Sequence, residues 1–170
     1  MKYNTFLPRL IATIVDFIIF LLIQAILYFL VFKNNFIDIQ LFIVIIVMLQ
    51  AFYYGYFIYA HTKYGQTIGK AYANIKVVSC KDENRLLNLK EAVIRDMIGV
   101  GFVVFDIIAI IFEWNDNTII WYISSYFIYI WLILELITMF FNEKRRSIHD
   151  LIASSVVINL GVIEEENTES

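Results

Sequence analysis

Three long apolar runs decide which solvent this chain folds in. Leu10–Phe32, Ile39–Ala60 and Thr118–Phe141 contain 23, 22 and 24 residues, and about 20 apolar residues in a helix cross the ~30 Å hydrocarbon core of a bilayer. A fourth run, Met97–Phe112, has 16. It reaches spanning length if its helix begins near Leu89, leaving Arg95 and Asp96 at headgroup level. Asn88-Leu89-Lys90-Glu91 supports that start, because Asn at the N-cap and Glu three positions on satisfy two free amides reciprocally. The chain is 61% hydrophobic, against about 45–50% in soluble domains, which argues against the soluble globular classes. The expected fold is therefore an all-α membrane protein, a four-helix transmembrane bundle forming one domain over residues 6–160. The first run contains Asp16 and lacks a small-residue cleavage site, so it reads as a retained span rather than a signal peptide.

Charge placement gives the expected orientation. Of 13 lysines and arginines, only Lys33 falls between the first and second runs or between the third and fourth. Those connections carry Asp38, Glu113 and Asp116 instead. The others cluster before the first run, in the long middle connection and after the last run. The positive-inside rule then places both termini in the cytoplasm, with the chain as a multi-pass protein of the cell membrane. Tyr53, Tyr54, Tyr56 and Tyr59 at the inner end, with Trp114, Trp121 and Tyr122 at the outer rim, suit the two interfaces. Tyr122, Tyr126 and Tyr129 also offer an alternative, a binding aromatic face.

The connection between His61 and Asn88 is patterned. Gly65-Gln66-Thr67-Ile68-Gly69-Lys70 reads as a tight turn. Neither a P-loop spacing nor a preceding strand is present, so nucleotide binding is not expected. Ala73–Val78 and Ala153–Ile158 are rich in β-branched residues and predict a small cytoplasmic two-stranded sheet, which would have to lean on the bundle because an isolated strand pair is marginal. Residues 161–170 form an acidic tail expected to be disordered. Cys80 is a single cysteine, which excludes an internal disulfide.

Three carboxylates fall inside the apolar runs: Asp16, Asp106 and Glu135. A charge at such a depth costs roughly 2.5–3.5 kcal/mol even on lenient insertion scales. Arg9 and Asp16 lie seven residues apart, and Arg95 and Asp106 eleven, so each arginine shares a helix face with a deeper acid. Because about 10.5 Å separates the α-carbons of Arg9 and Asp16 along a helix, Asp16 needs a second partner. Arg95, the Asp150 segment and Glu135 are the candidates. Two readings stay open: a cytoplasm-facing polar cavity whose carboxylates exchange protons or a small cation, and buried charges that only set helix packing. His61 and His149 lack a ligand cluster around them, so no metal site and no cofactor is expected. No nucleophile has a credible base, so the chain is not expected to be an enzyme.

Taken together, these motifs resemble the RDD family of bacterial membrane proteins, named for one arginine and two aspartates. The matching stretches are Arg9 and Asp16, the turn Gly65, Gln66, Thr67, Gly69 and Lys70 followed by Ile75–Val78, Arg95 opening a membrane segment, and His149-Asp150-Leu151-Ile152-Ala153 leading into Val156-Val157. Ser154 and Ser155 stand where glycine and threonine are usual, and Asp106 and Glu135 match no family motif. The resemblance implies a bacterial inner-membrane location and a lean toward transport, since some members look like monovalent cation/proton exchangers. The expected function is thus a small transporter or exchanger using Asp16, with Arg9, Asp150, Arg95 and His149 as supporting groups. A non-transporting membrane accessory or scaffold is the alternative. Four helices barely enclose a pathway, so a homodimer is expected in the lipid bilayer. Small cations or protons are the expected ligands, and no nucleic acid.

Overall fold

The computed structural model describes residues 2–32, 39–111 and 118–162. Lys33, Asp38, Glu113, Trp114, Asp116 and the tail from Glu164 lie outside the described residues, as do the side chains of Trp121 and Tyr122. In chain order the elements are α1 (Phe6–Phe32), α2 (Ile39–Lys63), α3 (Ile68–Tyr72), β1 (Ile75–Ser79), α4 (Leu89–Ile111), α5 (Thr118–Phe140), α6 (Ile148–Ile152) and β2 (Ser155–Asn159). Two stretches, Phe6–Leu30 and Ile43–Lys63, are long and apolar enough to cross a bilayer, with only 11% of each buried inside the fold. A soluble core helix would bury its apolar stripe. Here Phe17, Leu22, Phe29 and Phe52 all point outward. By the same test α4 falls short, because Lys90, Glu91, Arg95 and Asp96 crowd its first turns. Within α5 the apolar stretch described is Tyr129–Phe140.

The expected start of α4 is present. Asn88 Oδ1 accepts from the Glu91 amide at 2.8 Å, and Glu91 Oε2 accepts from the Asn88 amide at 2.9 Å, the reciprocal capping box. α2 packs along α4. At that contact Gly99 leaves room for the Tyr54 ring, which a Cβ would run into.

The short elements form a repeat. Thr67 caps α3, Ala73 ends it, Asn74 turns with φ 52°, and β1 follows. Ser147, Ala153, Ser154 (φ 53°) and β2 repeat that order 80 positions downstream (67 to 147, 74 to 154). β1 and β2 pair antiparallel with Val77 opposite Val157, which are equivalent positions under that offset. A local pseudo-twofold axis therefore passes between these two valines, exchanging one helix–turn–strand unit with the other. Each unit follows two long helices, so the chain is built as two like halves, α1–α2–α3–β1 and α4–α5–α6–β2. The contacts between α1 and α3 and between α4 and α6 correspond as well.

The sheet is stable because both faces and both edges are covered. Ile75, Val77 and Val157 pack with Ala12, Leu87 and Ala92 on the bundle side. Val78, Val156 and Ile158 pack under Tyr3, Leu86 and Leu160 on the other. The Val77 amide donates to the Gly65 carbonyl at 2.7 Å, and the Asn159 amide donates to the Lys2 carbonyl at 3.0 Å, so neither edge is left free to pair with another chain. Glu83 fastens the N-terminal strap over this face, bonded to Lys2 at 2.6 Å, Lys144 at 2.9 Å and the Tyr3 hydroxyl at 2.7 Å. Against the upward push of partial burial, these partners hold the Glu83 carboxyl down at about 2.

Candidate functional site

Asp16 sits ten residues into α1, about 15 Å along its axis, and is 5% exposed. Both its oxygens are taken. Thr67 Oγ1 donates to Oδ2 at 2.6 Å, and the Gly69 amide donates to Oδ1 at 2.8 Å. The carboxylate therefore receives the first turn of α3, where free amides favour an anion. Gly69 is required by closeness: a Cβ there would run into the Ala12 carbonyl and the Asp16 carboxyl. Asp16 thus finds its second partner in an uncharged hydroxyl and an amide, and not in the Arg95, Asp150 or Glu135 proposed from depth.

Asp150, fully buried on α6, collects the two arginines. Arg9 Nη1 from α1 reaches Oδ2 at 2.6 Å, and Arg95 Nη1 from α4 bonds Oδ1. Ser155 Oγ donates to Oδ1 at 2.9 Å and Ser147 Oγ to Oδ2 at 3.0 Å. Burial pushes this carboxyl up, but the Arg9 and Arg95 guanidiniums hold it well below the usual carboxylate range. Since α1 and α4 belong to different halves, this carboxylate clamps the halves together. Lys70 occupies the equivalent position on α3, so the repeat carries opposite charges at matching sites.

Two histidines each bridge a cation and a carboxylate. Lys70 Nζ lies 3.0 Å from His61 Nε2, and His61 Nδ1 lies 3.1 Å from Asp96 Oδ2. Arg95 Nη2 lies 3.0 Å from His149 Nε2, and His149 Nδ1 bonds Glu135 Oε1. The cation donates in each case, which assigns Nε2 as acceptor and Nδ1–H as donor to the acid. The His61 imidazole, accepting at Nε2 and donating from Nδ1, is neutral in this arrangement. Trp131 Nε1 also donates to Glu135 Oε1 at 2.9 Å. Burial, with Arg95 next, pushes the Lys70 amine down to about 8.

These groups line a cavity of about 650 Å³ between the two halves, with Val157 of the pseudo-twofold pair among its lining residues. Arg9, Lys70, Arg95, His149 and Glu135 all border it. Asp16 and Asp106 are not among its lining residues; Asp106 is half-buried on α4. The turn residues Gly65 (φ 71°) and Gln66 serve the sheet: Gln66 Nε2 donates to the Ile75 carbonyl at 3.0 Å. Tyr126 and Tyr129 are exposed and border no part of the cavity. Among the described residues no group of three or more metal-ligating side chains occurs.

Sequence reasoning missed Asp96, Ser147 and Ser155 as members of the network, and His61 as a bridge. The signal available was the 80-residue repeat: both short helices open on a hydroxyl residue followed by Ile, and both close on Ala before a residue with positive φ. Aligning the two stretches places Lys70 on Asp150 and exposes the charge reversal.

Comparison with curated proteins and with solved structures gave no match. A family model, described as the RDD family, matches residues 3–154. That match takes in Arg9, Arg95 and Asp150 of the buried clamp and Asp16 with the Gly65–Lys70 turn that receives it, and the chain belongs to the RDD family of proteins.

Proposed function

We propose that this protein is a multi-pass transporter of the cell membrane, in which α4 and α5 span the bilayer beside α1 and α2 and both termini are cytoplasmic. The solute pathway is the cavity between the halves, and exchange of a monovalent cation against protons is the mode its side chains suit. One observation carries the reading. His149 and Glu135 form a bonded acid–base pair on the cavity wall, and each side chain is 23% exposed, so the pair is reachable by protons and cations. Asp16 is a less suitable carrier, since hydrogen bonds already occupy both of its oxygens. Four long helices in one chain leave the surround of the pathway thin, which supports a dimer.

Reconstituted protein in liposomes tests the reading. A Na⁺ or K⁺ gradient should drive proton movement across the membrane, and Glu135→Gln should remove it while leaving insertion intact. Absence of flux under every gradient overturns exchange. The complete engagement of Asp16 and Asp150 favours a second reading, a non-transporting scaffold, under which Glu135→Gln changes no flux because none exists. Topology is tested by replacing Cys80 with serine and placing a cysteine at Asn35 or Asn115. Either should label from outside the cell.

A further inference from the structure

Among the described residues two cations of this network lack a full set of charged or hydrogen-bonding partners, Arg9 and Lys70, and both border the same cavity. Arg9 Nε donates to Thr5 Oγ1 at 3.0 Å and Nη1 to Asp150. Its Nη2 is buried with no acceptor among the described residues. A buried donor left unpaired costs about 1–3 kcal/mol, more when charged, so an arginine in this state calls for an acceptor. Lys70 Nζ has only the neutral His61 ring and, 5.2 Å away, the Phe57 face. No carboxylate lies within ion-pair distance of it among the described residues. The nearby acids are already occupied: Asp150 by two guanidiniums and two hydroxyls, Asp16 by Thr67 and Gly69, Asp96 by His61.

Glu135, the acid on the α5 wall, is itself engaged by His149 and Trp131, and apolar side chains make up much of the remaining lining. Ile98 and Phe102 of α4 and Leu132, Leu136 and Met139 of α5 line the cavity. Its volume of about 650 Å³ falls in the range of small-molecule sites and suits one acyl chain better than a two-chain phospholipid. An unpaired guanidinium nitrogen and an ammonium held only by an imidazole, bordering a cavity that apolar side chains also line, suit an amphiphile of opposite charge. We infer that the cavity binds a single-chain anionic amphiphile of the fatty-acid class, with its carboxylate on Arg9 Nη2 and Lys70 Nζ and its chain between α4 and α5. Arg9 offers its free Nη2 to such a carboxylate as a charge-assisted donor, and the flexible lysine completes the contact. The inference does not rest on transport, because occupancy is measured without flux. Where transport does occur, an amphiphile seated here occupies the pathway.

The test uses the full chain in nanodiscs of zwitterionic phosphatidylcholine with radiolabelled palmitate as probe. Saturable binding near one palmitate per chain is expected, competed by unlabelled palmitate but not by hexadecanol, which has the tail without the charge. Acetate and inorganic phosphate, charges without a tail, should also fail to compete. Lys70→Gln should weaken binding at least tenfold, and Arg9→Lys should weaken it while keeping the ion pair to Asp150. Ile98→Trp adds bulk to the apolar part of the lining without changing a charge and should block binding even if the charge variants fold poorly. Equal binding in wild type and Ile98→Trp overturns the inference. So does competition by free phosphate as strong as by palmitate, which would mean a simple anion site. Saturable binding of phosphatidylglycerol in the disc, with no palmitate binding in discs that lack it, would assign the cations to a lipid headgroup and overturn it as well.

Discussion

At the scale of single residues, one carboxylate holds more of this fold than any other group. Asp150 satisfies Arg9 and Arg95 at once, and both guanidiniums are largely withdrawn from solvent. Asp150→Asn leaves two buried cations facing a neutral amide. Removing one partner of a buried ion pair costs about 3–5 kcal/mol, so the variant should fail to accumulate in the membrane or lose its sharp thermal transition in detergent. Retention of wild-type yield and melting would show that the clamp is dispensable. Ser154 is a milder case. It adopts φ 53° without the glycine or asparagine that tolerate this region, and Ser154→Gly should stabilise the protein by about 0.5–1 kcal/mol, read as a higher unfolding midpoint. Asn74, at the matching turn with φ 52°, should gain less from the same change. The cost of each buried charge was legible in the sequence, and so was the need for partners. Their identity was not, because Asp16 is received by Thr67 and Gly69 from 51 and 53 positions away, and neither residue advertises a charge.

At the scale of elements, the long helices and the strand pair follow from local pattern. Runs of apolar residues, a capping box at Asn88 and β-branched clusters after two turns each specify their own element. The two five-residue helices do not, since five residues carry too little periodicity to announce a helix and exist here only by packing. α3 depends on approach to α1, which makes its glycine specific. Gly69→Ala would drive a methyl into the Ala12 carbonyl and the Asp16 carboxyl and should be severely destabilising, separating α3 from α1. Gly55, in the middle of α2, has nothing within 4 Å of an added Cβ. Gly55→Ala should be neutral or stabilising by up to about 1 kcal/mol through helix propensity. Parallel melting of the two variants checks the contrast. Equal effects would mean that α3 is not seated against α1 as described.

At the scale of the whole molecule, the chain behaves as an intramolecular pair. Each half supplies two long helices, a short capped helix and one strand, and the contacts between the halves include the Val77–Val157 pair, the packing of α2 on α4, and the Arg9–Asp150–Arg95 clamp. Parallel repeats about an axis along the membrane normal are a known way to build a central site, and the cavity lies between these halves. Two copies of one unit would offer identical charges to that site. Lys70, at the position equivalent to Asp150, breaks that identity and reverses the charge between the halves at this one place. The connection between the halves has an exposed turn at Lys81-Asp82, where loss of the peptide bond removes no buried contact. Fragments 1–81 and 82–170, co-expressed with a tag on the first alone, should therefore assemble and purify together in equal amounts. Asp150→Asn in the second fragment should release it, since the covalent link no longer compensates for the missing clamp. Recovery of the first fragment alone, with both present in the membrane, would mean that the halves need their tether to find one another and that the sheet and the clamp together are too weak to define the assembly.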